Sequence, residues 1–198
     1  MPTPSDLPNR KTLRLKGYDY SHAGAYFVTI CTANKKPLLG SIVDGHVTLS
    51  PAGEIVRAVW NALPSRFPRL LLDEFVIMPN HFHAVLAFVG EGLAPPAAAI
   101  AKLAPPAATI TKLAPPGSAP LAEKSANCSI PDVIGAFKSI STIQVNRHLR
   151  TKGSALWQRS YHDHIVRTGE DMGNIQRYIF ENPLLWSSDP ENPNQSSS

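Results

Sequence analysis

The sequence LLDEFVIMPNHFHAVLAFV, residues 71–89, contains two apolar runs of strand length separated by Pro79 and Asn80. Proline and asparagine favour turns, whereas runs rich in valine, isoleucine and phenylalanine favour strands. We therefore predict that residues 71–78 and 80–89 form two consecutive antiparallel strands. The other predicted elements are arranged around this pair.

The second strand carries two histidines, His81 and His83, on either side of Phe82. Successive side chains of a strand point to opposite faces, so both imidazoles project from one face and Phe82 from the other. Phe82 can then anchor the strand in the core. Neutral imidazole is a good ligand for divalent cations, so the two rings supply half of a metal site. The alternative is a partly exposed cross-strand pair that binds nothing.

A second pair of histidines, His162 and His164, has the same spacing around Asp163. An aspartate cannot anchor an apolar core, so we expect this pair at the exposed start of a strand. The first pair is therefore the favoured metal site. The second pair is expected to bind phosphate, or to orient the metal ligands from outside the coordination sphere.

The remaining elements follow from local patterns. Residues 24–33 predict a strand, Asp44-Gly45 predicts a hairpin turn, and a helix is expected between Ser50, which caps it, and Pro64, which ends it. Three more elements are predicted towards the C-terminus: a helix with a basic outer face over 131–150, a strand within 155–167 and a helix over 170–182. This order predicts an α+β fold, in which an antiparallel sheet carries helices on one face.

The composition narrows the class of protein. A chain of 198 residues with 43% hydrophobic content can bury the core of one compact domain. Cys31 and Cys128 lie far apart without a CxxC motif, which argues against a disulfide framework or a cysteine zinc site and favours the cytoplasm. The N-terminal region has no apolar signal segment, and no stretch is long enough to span a bilayer, so we expect no membrane association. A net charge of +4 suits a polyanionic partner but is weak support by itself.

The unit Leu-Ala-Pro-Pro occurs three times with a period of ten residues, starting at Leu93, Leu103 and Leu113. Paired prolines stop helices and remove the donors that strands need, so we expect residues 93–122 to be a disordered insertion. A proline-rich ligand for a partner's aromatic groove is the alternative. The insertion divides one domain into 1–92 and 123–186, and residues 187–198 are expected to form a flexible tail.

Several motifs, in one order, resemble the REP-associated tyrosine transposases, which belong to the HUH nucleases. The matching segments are RLKGYDYSHAGAYFVTICT, FVIMPNHFH, GAFKSISTIQVNRH, LWQRSYHDHIVR and YIFENP. The resemblance covers nearly the whole chain outside the insertion and the serine-rich tail. It implies a ferredoxin-like HUH endonuclease domain that cuts and rejoins single-stranded DNA through a covalent 5′-phosphotyrosine, with a divalent metal and no nucleotide cofactor.

The resemblance also implies the roles of individual residues. The family's nucleophile corresponds to Tyr178, and the residue four positions later, which assists the metal, corresponds to Asn182. Residues i and i+4 share one face of a helix, so both side chains can approach the ligands His81 and His83 together. An amide oxygen beside two imidazoles suits Mg²⁺ or Mn²⁺. Insertion-sequence relatives have glutamine here, so direct ligation by the shorter Asn182 is left open.

Two alternatives remain for the tyrosine. Tyr178 also fits an aromatic residue at the rim of the core, because it lies beside an apolar helical stripe. Tyr161, next to the second histidine pair, is the competing nucleophile. A dimer in which the tyrosine helix serves the partner is as compatible with the sequence as a monomer.

The implied partner is single-stranded or hairpin DNA from repetitive extragenic palindromes, in a bacterial cytoplasm and associated with the nucleoid. Basic residues supply phosphate contacts, and aromatic residues near the N-terminus supply stacking. The candidate DNA-binding residues are Arg10, Lys11, Arg14, Lys16, Tyr18, Lys138, Arg147, Arg150, Arg159 and Arg167. For each of them, a solvated surface charge or side chain is the alternative.

Two other functions compete with DNA strand transfer. A histidine-based phosphoesterase is disfavoured because Val85 replaces the third histidine expected in its strand. A domesticated DNA-binding protein without cleavage activity is the second alternative. The presence of both histidines, the tyrosine and the asparagine argues against such decay.

Overall fold

The computed structural model describes residues 23–89, 128–189 and 191–192. The predicted insertion and the basic N-terminal residues lie outside these ranges. Six strands are present in them: β1 Gly24–Cys31, β2 Gly40–Val43, β3 His46–Leu49, β4 Leu70–Ile77, β5 His81–Phe88 and β6 His162–Val166. The α-helices are α1 Pro51–Ala62, α2 Ile130–Leu149 and α3 Gly169–Glu181.

Four of the strands form one antiparallel sheet in the order β4-β5-β1-β6. With α1 and α2 as connections, the sheet has the βαββαβ order of a ferredoxin-like fold. The structure thus confirms the predicted α+β class and the antiparallel pairing of the two consecutive strands. In this sheet β5 lies between β4 and β1, so both of its edges are paired with a neighbouring strand.

The core lies between the sheet and the helices α1 and α2, as the position of Phe82 predicts. The Phe82 ring packs against Trp60 of α1 and Phe137 of α2, with ring centroids 4.8 and 5.2 Å apart. Trp60 and Phe137 also contact each other edge to face. This aromatic cluster fixes the direction in which β5 presents its alternate residues.

Local signals set the ends of the helices. Ser50 accepts a hydrogen bond from the Gly53 amide at the start of α1, as predicted. A capping box between Ser129 and Asp132 begins α2. The β2–β3 hairpin turns at Asp44 and Gly45, both with positive φ, as the Asp-Gly dipeptide predicts.

Helix α3 packs across the other face of the sheet, opposite α1 and α2. Its Tyr178 ring lies 6.1 Å from the Phe27 ring of β1, and Gln176 donates to the carboxylate of Asp73 on β4. The prediction that the helices lie on one face therefore holds for α1 and α2. Helix α3 lies on the opposite face, which carries His81 and His83. Within the described ranges, no helix is long and apolar enough to cross a membrane.

Candidate metal and nucleophile site

His81 is the first residue of β5 and is completely buried. The side-chain nitrogen Nδ2 of the preceding Asn80 donates to the backbone carbonyls of Lys35 and Glu191, at 3.2 and 2.6 Å. This fixes the Asn80 side chain so that its oxygen accepts from His81 Nδ1 at 2.9 Å. Because the proton is held on Nδ1, the Nε2 lone pair of His81 points away from Asn80 and is free to bind a metal.

His83 lies on the same face, with its ring 4.5 Å from that of His81. Its Nδ1 is hydrogen-bonded to Thr29 Oγ1 at 2.9 Å, and its ring stacks on Phe27 at 5.4 Å. Burial, and secondarily the neighbouring His81, hold the pKa of His83 well below its usual range. A buried neutral imidazole with Nδ1 engaged by a hydroxyl is suited to ligation through Nε2.

Burial also lowers the pKa of His81, although the nearby carboxylates of Asp189 and Glu191 act in the opposite direction. Both imidazoles are therefore neutral at neutral pH. The neutral form is the one that binds metal ions. The site thus combines two adjacent imidazoles, each kept in its ligand form by burial.

Tyr178 projects from α3 towards these histidines, and its hydroxyl lies 3.4 Å from His83 Nε2. The side chain is 43% exposed, so it contacts both the buried pocket and the solvent. Burial raises the pKa of Tyr178, while the Asn182 amide acts to lower it. The hydroxyl is therefore protonated at neutral pH and positioned at the mouth of the site.

Asn182 follows α3 directly and is buried. Its amide favours the charged forms of both His81 and Tyr178, which reflects its position beside these two side chains. The side-chain oxygen of Asn182 is buried and has no hydrogen-bond partner. The spacing of four residues thus brings the tyrosine and the amide to the same site.

Asp189 is a member of the site that the sequence did not indicate. A 3₁₀ turn at Trp186–Ser188 returns the chain towards β5, where Asp189 is buried with its Oδ2 3.8 Å from His81 Nε2. The other oxygen, Oδ1, accepts from the Glu191 amide at 2.6 Å. Asp189 falls within residues 187–198, which are predicted from the sequence to form a flexible tail.

The donor atoms fit a hard divalent cation. The ligand atoms of His81, His83 and Asp189 lie within 4.8 Å of one another. His81 Nε2 and Asn182 Oδ1 are buried polar atoms without a hydrogen-bond partner, an arrangement that costs free energy unless a ligand satisfies them. Two imidazole nitrogens with carboxylate and amide oxygens suit Mg²⁺ or Mn²⁺.

The second histidine pair lies on the same sheet face but not in the site. His162 is opposite Thr29 on β1, and His164 is opposite Phe27, so one strand separates them from His83. Two strand spacings correspond to roughly 10 Å. The imidazole of His164 is exposed and pairs with Asp171 at 3.0 Å. Thr29 and Asn80, not this pair, orient the two buried histidines.

The competing tyrosine, Tyr161, packs against the core on the other side of the sheet. Of the candidate DNA-binding residues, Lys138 donates to the carbonyls of Gln158 and Arg159 at 2.6 and 2.9 Å, which fastens the loop after α2. Four arginines are exposed: Arg147, Arg150, Arg159 and Arg167. The other five candidates, Arg10, Lys11, Arg14, Lys16 and Tyr18, lie outside the described residues.

One solved structure supports this fold. No family model matches the chain. The structure of a REP-associated tyrosine transposase bound to a REP hairpin has a TM-score of 0.52, with 14% sequence identity, and the match covers 86% of this chain and 72% of that one. A candidate transposase from Deinococcus radiodurans R1 gives a TM-score of 0.44 at 17% identity, covering 84% and 96% of the two chains. An uncharacterised protein of Haemophilus influenzae Rd is 31% identical over 183 residues, covering 92% of this chain and 93% of that protein.

The fold is therefore that of a REP-associated tyrosine transposase, and the resemblance predicted from the sequence is confirmed at the level of the fold. The chain belongs to the same protein family as the Haemophilus influenzae protein.

Proposed function

We propose that this protein is a metal-dependent transposase or nuclease that cleaves and rejoins single-stranded DNA near palindromic hairpins. The observation that carries the proposal is the position of the Tyr178 hydroxyl, 3.4 Å from His83 Nε2 at the edge of a buried pocket. That pocket contains two polar atoms without partners, His81 Nε2 and Asn182 Oδ1. A nucleophile beside polar atoms that are free to bind a metal ion is an arrangement suited to phosphoryl transfer.

In the proposed reaction, the Tyr178 oxygen attacks a DNA phosphorus atom. A bond forms between phosphorus and the tyrosine oxygen, and the bond from phosphorus to the 3′ oxygen breaks. The phenol proton ends on the released 3′-hydroxyl, and the 5′ side of the strand remains attached as a phosphotyrosine. The freed 3′-hydroxyl, or that of another strand, can reverse the step without ATP because the phosphodiester energy is conserved.

The protein's own residues would prepare this attack. The phenol of Tyr178 is protonated at neutral pH, so it is a weak nucleophile without assistance. Asn182 favours the phenolate, and Phe27 contacts the tyrosine ring edge to face, which restricts its orientation. Partial exposure of Tyr178 leaves room for a phosphodiester to approach from solvent.

The metal would be held by His81 and His83, with oxygens from Asp189 and Asn182 completing the protein's share of the ligands. The chemistry supplied by a bound divalent cation is polarisation of the nonbridging phosphate oxygens as a Lewis acid. Asn80 would keep His81 in the tautomer that presents Nε2, and Thr29 would hold the orientation of the His83 ring. A REP hairpin is bound by the transposase that shares this fold, which supports hairpin DNA as the substrate here.

The test is covalent capture of DNA. Full-length protein is mixed with end-labelled single-stranded hairpins from the flanks of its own gene, in Mn²⁺ or in EDTA, and adducts that survive SDS are counted. We expect an adduct only with metal. Tyr178→Phe should abolish it, because that change removes only the attacking oxygen.

Tyr161→Phe is the matched control, since it removes the same atom from a tyrosine on the core side of the sheet. Loss of the adduct in Tyr161→Phe alone would keep the reaction and reject Tyr178 as the nucleophile. Tight hairpin binding by wild type without any adduct would instead identify a non-catalytic DNA-binding protein.

A further inference from the structure

Helix α2 ends beside an open groove of about 880 Å³, which lies between its last turns and the loop over residues 151–155. Three cationic side chains line it: Arg147, Arg150 and Lys152. Ile143 and Arg147 are four residues apart and share one face of the helix, and Arg150 follows the last residue of the helix at the same groove. The groove is therefore a basic surface separate from the site on the other face of the sheet.

The segment of sequence that contains the groove residues has no acidic side chain. Between Val133 and His162 the sequence has five lysines and arginines and no aspartate or glutamate. Within the described part of the chain, none of the three groove cations forms an ion pair. Concentrated positive charge without acidic partners favours a polyanionic ligand.

The groove is also preorganised. The Asn146 side chain accepts from the Thr151 hydroxyl at 3.0 Å and donates to the Ser154 carbonyl at 2.8 Å. The backbone carbonyl of Asn146 also accepts from the Thr151 backbone amide. One side chain thus fastens the loop that carries Lys152 to the helix that carries Arg147. The loop loses less freedom on binding than an untethered loop would.

Arg150 adopts the left-handed conformation at the end of α2, with φ 55° and ψ 31°. Glycine is the residue favoured in this conformation, because a Cβ atom makes it unfavourable. The sequence therefore has a strained arginine where an uncharged glycine would be more stable. Such strain is often kept for a function of the side chain.

Among the described residues that line the groove, none is aromatic. Single-stranded nucleic acids are usually bound by stacking their bases on aromatic rings, whereas duplexes are held through their phosphates. The Tyr178 site has Phe27 and the partly buried Trp186 near its histidines, whereas the groove is lined by cations, polar side chains, small residues and the aliphatic Ile143. The two surfaces thus differ in the form of DNA that they suit.

We propose that this groove binds the sugar–phosphate backbone of duplex DNA and holds the stem of the hairpin substrate. The inference rests on the proposed function and assigns the duplex part of the substrate to a second surface. The loop beyond the groove reaches the end of β1, since the Leu156 carbonyl accepts from the Ala33 amide and the Gln158 amide donates to Cys31. Cys31 lies opposite His81, so the groove is connected to the end of the sheet where the site begins.

The test compares duplex and single-stranded binding in EDTA, where cleavage plays no part. Fluorescence anisotropy is measured over a range of salt concentrations, with a blunt DNA duplex of random sequence and a single strand of the same length. The variant is Arg147→Gln combined with Arg150→Gly. The control is Arg57→Gln with Lys36→Gln, which removes the same charge from two exposed residues that are not candidate DNA contacts. Arg57 lies on α1 and is paired with Glu54.

The double variant should bind the duplex about tenfold more weakly, and the slope of log Kd against log salt should fall by about two, one for each lost phosphate contact. Single-strand binding should fall by a smaller factor, and the control should retain most of its duplex binding. The unfolding temperature of Arg150→Gly alone should be unchanged or higher, since glycine relieves the strained conformation.

Two results would overturn the proposal. Unchanged duplex binding in the double variant would mean that these cations only offset the helix dipole and solvate the surface. Equal losses for duplex and single strand would mean a nonspecific effect of net charge. Because no covalent step is measured, duplex binding through the groove can hold even if the phosphotyrosine reaction fails, so the two proposals are tested separately.

Discussion

The two His-X-His pairs have the same spacing and lie on the same face of one sheet, but they have opposite environments. His81 and His83 lie on a central strand and are buried, with each Nδ1 bound and each Nε2 facing the site. His162 and His164 lie on the edge strand and are exposed, and the Nε2 of His164 pairs with Asp171.

The residue between the histidines accounts for much of this difference. Phe82 fills the core between two helices and fixes β5 in the middle of the sheet. Asp163 cannot do so, and one of its oxygens is buried without a partner in the described structure. Spacing alone therefore does not define a metal site. The side chain on the opposite face decides whether the imidazoles are held rigidly enough to act as ligands.

The largest expected effect separates the pairs directly. His81→Ala should reduce adduct formation about a thousandfold, since loss of a metal ligand removes several kcal/mol of transition-state stabilisation. His162→Ala should reduce it by less than about threefold. Rates of adduct formation in Mn²⁺ measure both. Similar losses in the two variants would show that the edge pair takes part in the reaction.

Much of the fold and part of the site could be predicted because their signals are local. The alternation around Phe82 placed His81 and His83 together. Tyr178 and Asn182 were implied by the family resemblance, and their four-residue spacing adds that they share one face of a helix. The Ser50 cap and the Asp44-Gly45 turn also follow from neighbouring residues. The histidine pair, the cap and the turn each depend on residues close together in the sequence, so pattern and propensity suffice for them.

The rest depends on contacts between distant segments. Asn80 looks like a turn residue, yet its amide joins Lys35 and Glu191, which are 45 and 111 positions away. Asp189 lies in a polar segment without periodicity, and only the turn after α3 brings it to His81. The side of the sheet that α3 covers is set by packing against Phe27 and Asp73, which no local pattern encodes.

The second prediction tests what orients the buried pair. Asn80→Ala should weaken Mn²⁺ binding by about 10–100-fold, because His81 loses the acceptor that fixes its tautomer. It should also lower the free energy of unfolding by about 1–3 kcal/mol, since two partly buried carbonyls lose their donor. Calorimetry and chemical denaturation measure the two quantities. A lower free energy of unfolding with unchanged Mn²⁺ affinity would mean that Asn80 only stabilises the fold.

The third prediction compares the acidic partners of the two pairs. Asp189→Asn should weaken Mn²⁺ binding by about tenfold, because it replaces a charged ligand by a neutral one of the same shape. Asp171→Asn is the matched change beside His164 and should leave Mn²⁺ binding within about twofold. Titration of both variants under the same conditions gives the comparison. An equal effect in both would remove Asp189 from the ligand set.

The smallest effect concerns the role left to the exposed pair. The His164 side chain, followed by the Arg167 amide, lowers the pKa of Asp171, so the carboxylate contributes to stability. Since the folded pKa lies below the unfolded one, this contribution is complete above the ordinary aspartate pKa and is lost as the pH falls through the folded value. The Tm of Asp171→Asn should therefore lie slightly below that of wild type at neutral pH, and the two should converge in acid. A difference that persists at low pH would mean that Asp171 acts through the shape of the α3 N-terminus and not through its charge, leaving the second pair without an electrostatic function.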